Sequence, residues 1–205
     1  VKSSELPWKD TGRIPYTVTG PYLSELFSRA FVDGLQDPSK RPTADEWETA
    51  LVKTVDLLQP CANPNCEQKW YPFDNSRAPK CPFCGTPHQG KLPVLNLYSS
   101  HAKGKFVPDN HRVMVYSGQS VYRWHENRFI FPNEKTSADD SHRVGYFVEH
   151  RGTWFLVNER LPKLRDLRAN ADIPIGGKVA LDDGAQILLS PEPGGRLLVV
   201  QMSGK

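Results

Sequence analysis

The sequence predicts a multidomain α+β protein, and three observations carry that prediction. The first third places apolar residues at helical spacing, the middle holds all four cysteines, and from Leu92 onward the chain breaks into short β-rich runs separated by turns. Three segments follow: a helical segment over 1–60, a cysteine-bearing segment over 61–91 and an antiparallel β-sandwich over 92–205.

In the first segment Leu23, Leu26, Phe27, Ala30 and Phe31 recur at i, i+3, i+4, i+7 and i+8, the stripe of a helix with one buried face. Gly34 ends it. After the polar turn Asp37-Pro38-Ser39-Lys40, Thr43 is a natural N-cap and Glu46 completes a capping box. Asp45 and Glu46 also favour the positive helix end. Ala44, Trp47, Leu51, Val55 and Leu58 then line one face, predicted to be the buried one, before Pro60 stops the helix.

The cysteines follow the order Cys61-x4-Cys66-x14-Cys81-x2-Cys84. Both short intervals suit the knuckles of a zinc ribbon, in which two pairs of thiolates hold one tetrahedral ion. Gly85, directly after the second pair, lets the backbone adopt positive φ and turn N–H groups toward sulfur. Two disulfides are the alternative; they belong to an export context, and no basic-apolar signal segment begins this chain. Four thiolates close the coordination shell and leave no position for water, so the expected Zn2+ is structural rather than hydrolytic. His88 could replace one cysteine as ligand. Trp70, Tyr71 and Phe73 are expected to cover the metal, or else to stack on nucleotide bases.

The last segment offers strand-like runs at Val113–Tyr116, Ser120–Trp124, Arg128–Phe131, Val144–Glu149, Thr153–Asn158, Lys178–Leu181, Gln186–Leu189 and Leu197–Met202. Turns marked by Gly118, Arg151-Gly152, Asp183-Gly184 and Gly194-Gly195 separate them, so eight to eleven antiparallel strands are expected. Asp183-Gly184 reads as a hairpin turn. The polar run Pro132–Arg143 reads as a loop.

Composition narrows the function classes. Net charge divides as −2 over 1–60, +2 over 61–91 and +3 over 92–205, without the concentrated basic face of a dedicated nucleic-acid binder. No stretch approaches the roughly 18 consecutive apolar residues of a membrane span, and a cytoplasmic protein is expected. His101, His111, His125, His142 and His150 are scattered without metal spacing or a nucleophile motif, so the chain reads as non-catalytic.

Two stretches carry resemblances. Leu26–Leu51, LFSRAFVDGLQDPSKRPTADEWETAL, resembles the last two helices of the protein-kinase C-lobe, where the arginine matching Arg41 pairs with a glutamate closing the activation segment. That glutamate, the glycine-rich loop, the phosphate-pairing lysine, the catalytic-loop aspartate and the DFG motif are not in this chain. Gly145–Leu189, with Ile173-x-x-Gly176-x-x-Val179-x-Leu181-x-Asp183-Gly184-x-x-Ile187, resembles the second half of a forkhead-associated (FHA) domain. That resemblance implies an eleven-strand sandwich that binds phosphothreonine peptides through loops at one end. The family's Gly-Arg, Ser-x-x-His and Asn-Gly signatures are replaced here by Tyr122-Arg123-Trp124-His125 and Asn158-Glu159, which leaves Arg123 and Asn158 as candidate peptide-binding residues.

The order of kinase tail, four-cysteine ribbon and FHA-like sandwich resembles the C-terminal region of the bacterial Ser/Thr kinases of the TerY-P triad, linked to tellurite resistance and stress response. It implies a regulatory, protein-docking role beside a von Willebrand A-type protein and a PP2C-type phosphatase. The alternative is a nucleic-acid-binding zinc ribbon that uses Lys69, Trp70, Tyr71, Arg77 and Lys80.

Overall fold

The computed structural model describes residues 15–73, 79–102 and 104–203, which divide into two compact units. One comprises the described residues up to 73 together with 80–88, so that the helices and the cysteine segment share a unit; the other comprises Pro79 and the described residues from 89 onward. Among the described residues no helix is long and apolar enough to cross a membrane.

In the first unit a 3-10 turn, Tyr16–Thr19, leads through Gly20 into α1, Pro21–Ser28, which continues as a π-type turn over Arg29–Asp33. Pro21 stands where a helix has no use for an N–H. Gly34 closes the π-type turn, donating its N–H to the Arg29 carbonyl at 2.8 Å. A Cβ there would lie 2.7 Å from both that carbonyl oxygen and Arg41 Cγ, so glycine is required by close approach. Arg41 uses the space to donate Nε–H to the Gly34 carbonyl at 2.8 Å, satisfying a backbone acceptor at the helix end.

Helix α2, Ala44–Val55, begins with the predicted capping box: Glu46 N–H donates to Thr43 Oγ1 at 3.3 Å, and Thr43 N–H donates to Glu46 Oε2 at 2.7 Å. Glu46 also accepts from Arg29 at 2.6 Å, tying α2 to the end of α1. The buried face differs from the predicted one. Leu51 and Val55 are 52% and 60% exposed, whereas Trp47, Ala50, Thr54 and Leu57 turn inward. Thr54 is tolerated there because its hydroxyl donates to the Ala50 carbonyl at 2.7 Å, so hydrophobicity alone misjudged the face. Phe27 packs edge-on against Trp47, with ring centroids 5.2 Å apart. Phe31, expected on the buried stripe, is exposed.

Leu58 does not extend α2. It opens β1, Leu58–Pro60, which pairs antiparallel with β2, Trp70–Pro72. Between and after these strands lie the two cysteine knuckles.

Among the described residues the second unit is a sandwich of ten strands. In chain order they are β3 (Pro93–Ala102), β4 (Lys105–Met114), β5 (Ser120–Tyr122), β6 (Arg143–His150), β7 (Thr153–Asn158), β8 (Arg165–Asp166), β9 (Ala171–Asp172), β10 (Lys178–Ala180), β11 (Gln186–Leu188) and β12 (Arg196–Met202). A six-stranded sheet has the order β4-β3-β12-β11-β8-β9 and a four-stranded sheet the order β10-β7-β6-β5, with every pairing antiparallel. Their inner faces share one core, in which Leu95, Leu97 and Ile187 of the first sheet meet Phe147, Leu156 and Val179 of the second.

Three strand expectations are corrected. The strand placed at Val113–Tyr116 is the end of the long β3–β4 hairpin; its alternation is hidden by an irregular register around Asn110, which sits at φ 47°. Ser120–Trp124 is cut short at Tyr122, where a single helical turn, α3 (Arg123–Glu126), begins. Arg128–Phe131 forms no strand: the Asn127 side chain accepts from Phe129 N–H at 2.9 Å and folds the run into a turn. Nor does Asp183-Gly184 close a hairpin, because β10 pairs with β7 while β11 pairs with β12 and β8. The turn carries the chain from one sheet to the other.

Arg29 and the Thr43 backbone hold the Glu46 carboxyl down from its ordinary 4.5 to about 2. A depressed carboxylate contributes stability that is complete above its unfolded value and lost as pH falls through the folded one. The first unit is therefore expected to weaken between about pH 4.5 and 2. Glu46→Gln should flatten that dependence, and Thr43→Ala should lower stability by about 1 kcal/mol at neutral pH. Urea unfolding monitored by helical circular dichroism across pH checks both.

Candidate functional site

The first knuckle begins where β1 ends. Cys61 N–H donates to the Lys69 carbonyl at 2.7 Å, and Lys69, at φ 57°, turns the chain into β2. Inside this loop Asn63 organises the approach to the second ligand: its side-chain oxygen accepts from Asn65 N–H at 2.9 Å and its carbonyl from Cys66 N–H at 3.1 Å. The second knuckle is tighter. Cys81 N–H donates to the Thr86 carbonyl and Gly85 N–H to the Cys81 carbonyl, both at 2.9 Å, with Gly85 at φ 74° as its position after Cys84 requires.

These turns bring all four sulfurs within 4.8 Å of one another. Cys61 and Cys84 sulfurs are 3.5 Å apart, and those of Cys66 and Cys81 are 3.8 Å apart. A tetrahedron of thiolates about 2.3 Å from a central ion has edges of about 3.8 Å, so the set fits a metal ion. A disulfide needs about 2.0 Å, and all four cysteines are free. Among the described residues the cluster comprises the four cysteines, and His88 is not part of it. Such a set can grip an ion and hold two loops together, but with all four ligands engaged it has no position for a reacting water.

Burial and charge are uneven across the set. Cys66 and Cys81 are 3% and 1% exposed and pack with Tyr71, Phe73 and Phe83. Tyr71 and Phe73 thus cover the cluster as predicted. Trp70 does not, because strand alternation turns it outward, and Phe83 takes the remaining place. Cys84 is exposed, and hydrogen bonds from the Thr86 side chain and backbone N–H pull its thiol down to about 6. Burial pushes the half-buried Cys61 thiol up to about 12, and burial beside Cys81 does the same to the Tyr71 hydroxyl. The contribution of Thr86 was not anticipated, although a threonine two residues beyond a knuckle cysteine is a readable signal.

In the second unit the pairings Tyr122↔Arg143 and Gly145↔Asn158 bring three connections to one end of the four-stranded sheet: α3, the 132–142 loop and the loop after Asn158. Arg123 and Asn158 therefore share an end, with different surroundings. Arg123 is bound to the buried Glu126 and lies 3.9 Å from Asp140. Burial pushes the Glu126 carboxyl above its ordinary value while Arg123 opposes the shift. Asn158 is 0% exposed; its amide donates to the Leu161 and Ile173 carbonyls at 2.9 and 2.8 Å, and its oxygen accepts from Leu161 N–H at 2.8 Å. With both donors committed, Asn158 shapes its loop from below.

Two charged pairs at this end had no sequence signal. Arg143 clasps Glu159 through two bonds of 2.6 Å, its pairing fixed by register rather than by spacing along the chain. Arg196, almost fully buried, donates to Asp109 at 2.8 Å and to the Trp124 carbonyl at 2.6 Å, holding α3 against the six-stranded sheet. Among the histidines, His125 is buried and accepts from Tyr122 N–H at 3.0 Å, His101 pairs with Arg128, and none joins a metal-ligating group among the described residues. Of the candidate nucleic-acid contacts, Tyr71 is buried, Lys69 donates to the Pro64 carbonyl at 2.6 Å, Trp70 and Lys80 are exposed, and Arg77 lies outside the described residues.

Comparison with models of protein families gives no match, and neither does comparison with curated proteins. Among solved structures the chain is similar to full-length yeast Pml1p, at 17% identity and a TM-score of 0.34, over 55% of this chain and 82% of that one. At that level neither residues nor ligands carry over.

Cys81→Ser is expected to lower bound metal in the purified protein and to loosen residues 61–88, with the second unit still folded; metal analysis with amide hydrogen exchange checks it. Asn158→Ala is expected to destabilise the second unit by about 2 kcal/mol through loss of buried hydrogen bonds. It should also speed amide exchange at Leu161, read on the same instrument.

Proposed function

We propose that the chain is a non-catalytic protein-interaction region: Cys61, Cys66, Cys81 and Cys84 hold a structural Zn2+, and the FHA-like sandwich docks a partner protein through the loops around α3 and Asn158. The observation that carries the reading is the placement of the sequence motif. Val179, Leu181 and Ile187 are buried in the shared core with Ile173 packed against it, and Asp183-Gly184 turns the chain between the sheets, so the motif residues serve a sandwich in which three loops converge at one end. The four-thiolate set supports zinc because soft sulfur donors in tetrahedral array suit that ion.

The finer reading places this region in a Ser/Thr kinase of the TerY-P type, docking a von Willebrand A-type protein or a PP2C-type phosphatase in phosphorylation-dependent stress signalling in the cytoplasm. It draws on the two-helix resemblance, and the capped start of α2 with Arg41 turned onto the end of α1 agrees with a packed helical pair. The exposed Trp70 beside Lys69 favours a second reading, in which the ribbon stacks on single-stranded nucleic acid.

Matched phosphothreonine and threonine peptides from candidate partners separate these readings. Phosphorylated peptide is expected to bind at least about tenfold more tightly, since a guanidinium pairs a phosphate dianion better than a neutral hydroxyl. Arg123→Ala should remove that preference, and Glu126→Gln should strengthen it by releasing Arg123. Equal binding of both peptides would remove the phosphate-dependent part of the reading. Salt-sensitive binding of single-stranded oligonucleotides, lost in Trp70→Ala, would favour the second.

A further inference from the structure

The four sulfurs are alike in the sequence and unlike in the fold. Cys66 and Cys81 lie beneath Tyr71, Phe73 and Phe83, at 3% and 1% exposure. Cys84 is open to solvent, Cys61 is half-buried, and their sulfurs are 3.5 Å apart. The cluster therefore has a closed edge and an open edge. Beside the second knuckle the exposed Lys80 side chain passes Gly85, its Cε 3.6 Å from where a Cβ on that glycine would stand.

We infer that the Cys84–Cys61 edge is a site of covalent thiol modification, at which a hydroperoxide oxidises the two accessible ligands to a disulfide and expels the metal. The inference rests on the zinc reading above. A metal-bound thiolate keeps nucleophilic electron pairs, and access decides which of the four reacts. Cys84 Sγ attacks one oxygen of hydrogen peroxide, the O–O bond breaks, hydroxide leaves and Cys84 becomes a sulfenic acid. Cys61 Sγ then attacks Cys84 Sγ, a second hydroxide leaves and the S–S bond forms. Two thiolates have then lost two electrons to one peroxide. The sulfurs need to close from 3.5 Å to about 2.0 Å, a movement within reach of the outer ends of two loops. Cys66 and Cys81 remain as two ligands, too few to retain the ion.

The test uses the whole chain loaded with zinc. Peroxide is added, zinc release is followed with a chromogenic chelator, and thiols are mapped by differential alkylation and mass spectrometry at short times. The expected first adduct is on Cys84, followed by a Cys61–Cys84 disulfide that appears with the released zinc while Cys66 and Cys81 still alkylate. Cys84→His, which offers an imidazole in place of the reactive thiolate, should slow release by about tenfold or more. First modification at Cys66 or Cys81, equal modification of all four, or zinc release without a disulfide would overturn the inference and leave the zinc reading intact. A purified chain with four reduced thiols and no affinity for zinc would overturn the zinc reading itself. If Cys84→His does not bind zinc, the order of modification in the parent chain decides the matter.

Discussion

Four sulfurs held within 4.8 Å of one another set the terms for the first unit. As thiolates they repel strongly at that range, a repulsion that a metal ion held among them would offset. The unit's buried apolar side chains include Leu26, Leu57 and Tyr71, while Phe31, Leu51 and Val55 remain in water. With zinc bound as proposed, coordination by four thiolates would contribute about 10 kcal/mol or more. The β1–β2 pair, the left-handed turns at Lys69 and Gly85 and the covering Tyr71 make sense as parts of a cage.

The second unit solves a different problem, since its hydrophobic core is ample and its difficulty is to hold irregular loops in place. Buried polar groups do this work. Asn158 anchors the loop after β7 through three hydrogen bonds, and Arg196 reaches from β12 to Asp109 and to the carbonyl of Trp124. Ser99 adds its hydroxyl to the same aspartate. A buried charge pair gains little net stability, but it is costly to break, so it fixes one loop arrangement against its competitors. The end of the sheet bearing Arg123 is thereby preorganised, with Arg123 held by Glu126 and Arg143 by Glu159.

Local chemistry was legible in the sequence wherever a few adjacent residues determine it. Thr43 and Glu46 announced their capping box, Gly85 its left-handed turn, and the cysteine spacing a metal-sized cluster. What was lost depended on partners far along the chain. The α2 face was misread because Thr54 can be buried once its hydroxyl finds the Ala50 carbonyl, and only the end of β4 was legible because the register shift around Asn110 breaks its alternation. Asp183-Gly184 has the composition of a hairpin turn, yet whether its flanking strands pair is decided by β7 and β12, which no local pattern contains. Arg123 and Asn158, the candidate peptide-binding residues, lie at one end of the four-stranded sheet, but the carboxylate and the carbonyls that engage them were invisible before folding.

Strand order carries a consequence for how the sandwich is made. In the six-stranded sheet β12 lies between β3 and β11, with Pro93 opposite Met202, so the first and last strands of the unit are side by side near the middle of the sheet. On a ribosome the chain emerges from its N-terminal end, and the β3–β4 hairpin is finished some eighty residues before its other neighbour exists. Until residues 196–202 arrive, β3 and β11 each keep an open row of backbone donors and acceptors, the kind of edge that recruits foreign strands. The two halves of this sheet are therefore joined only when β12 is in place, and a pause or truncation just upstream of Arg196 leaves both of its partner edges open.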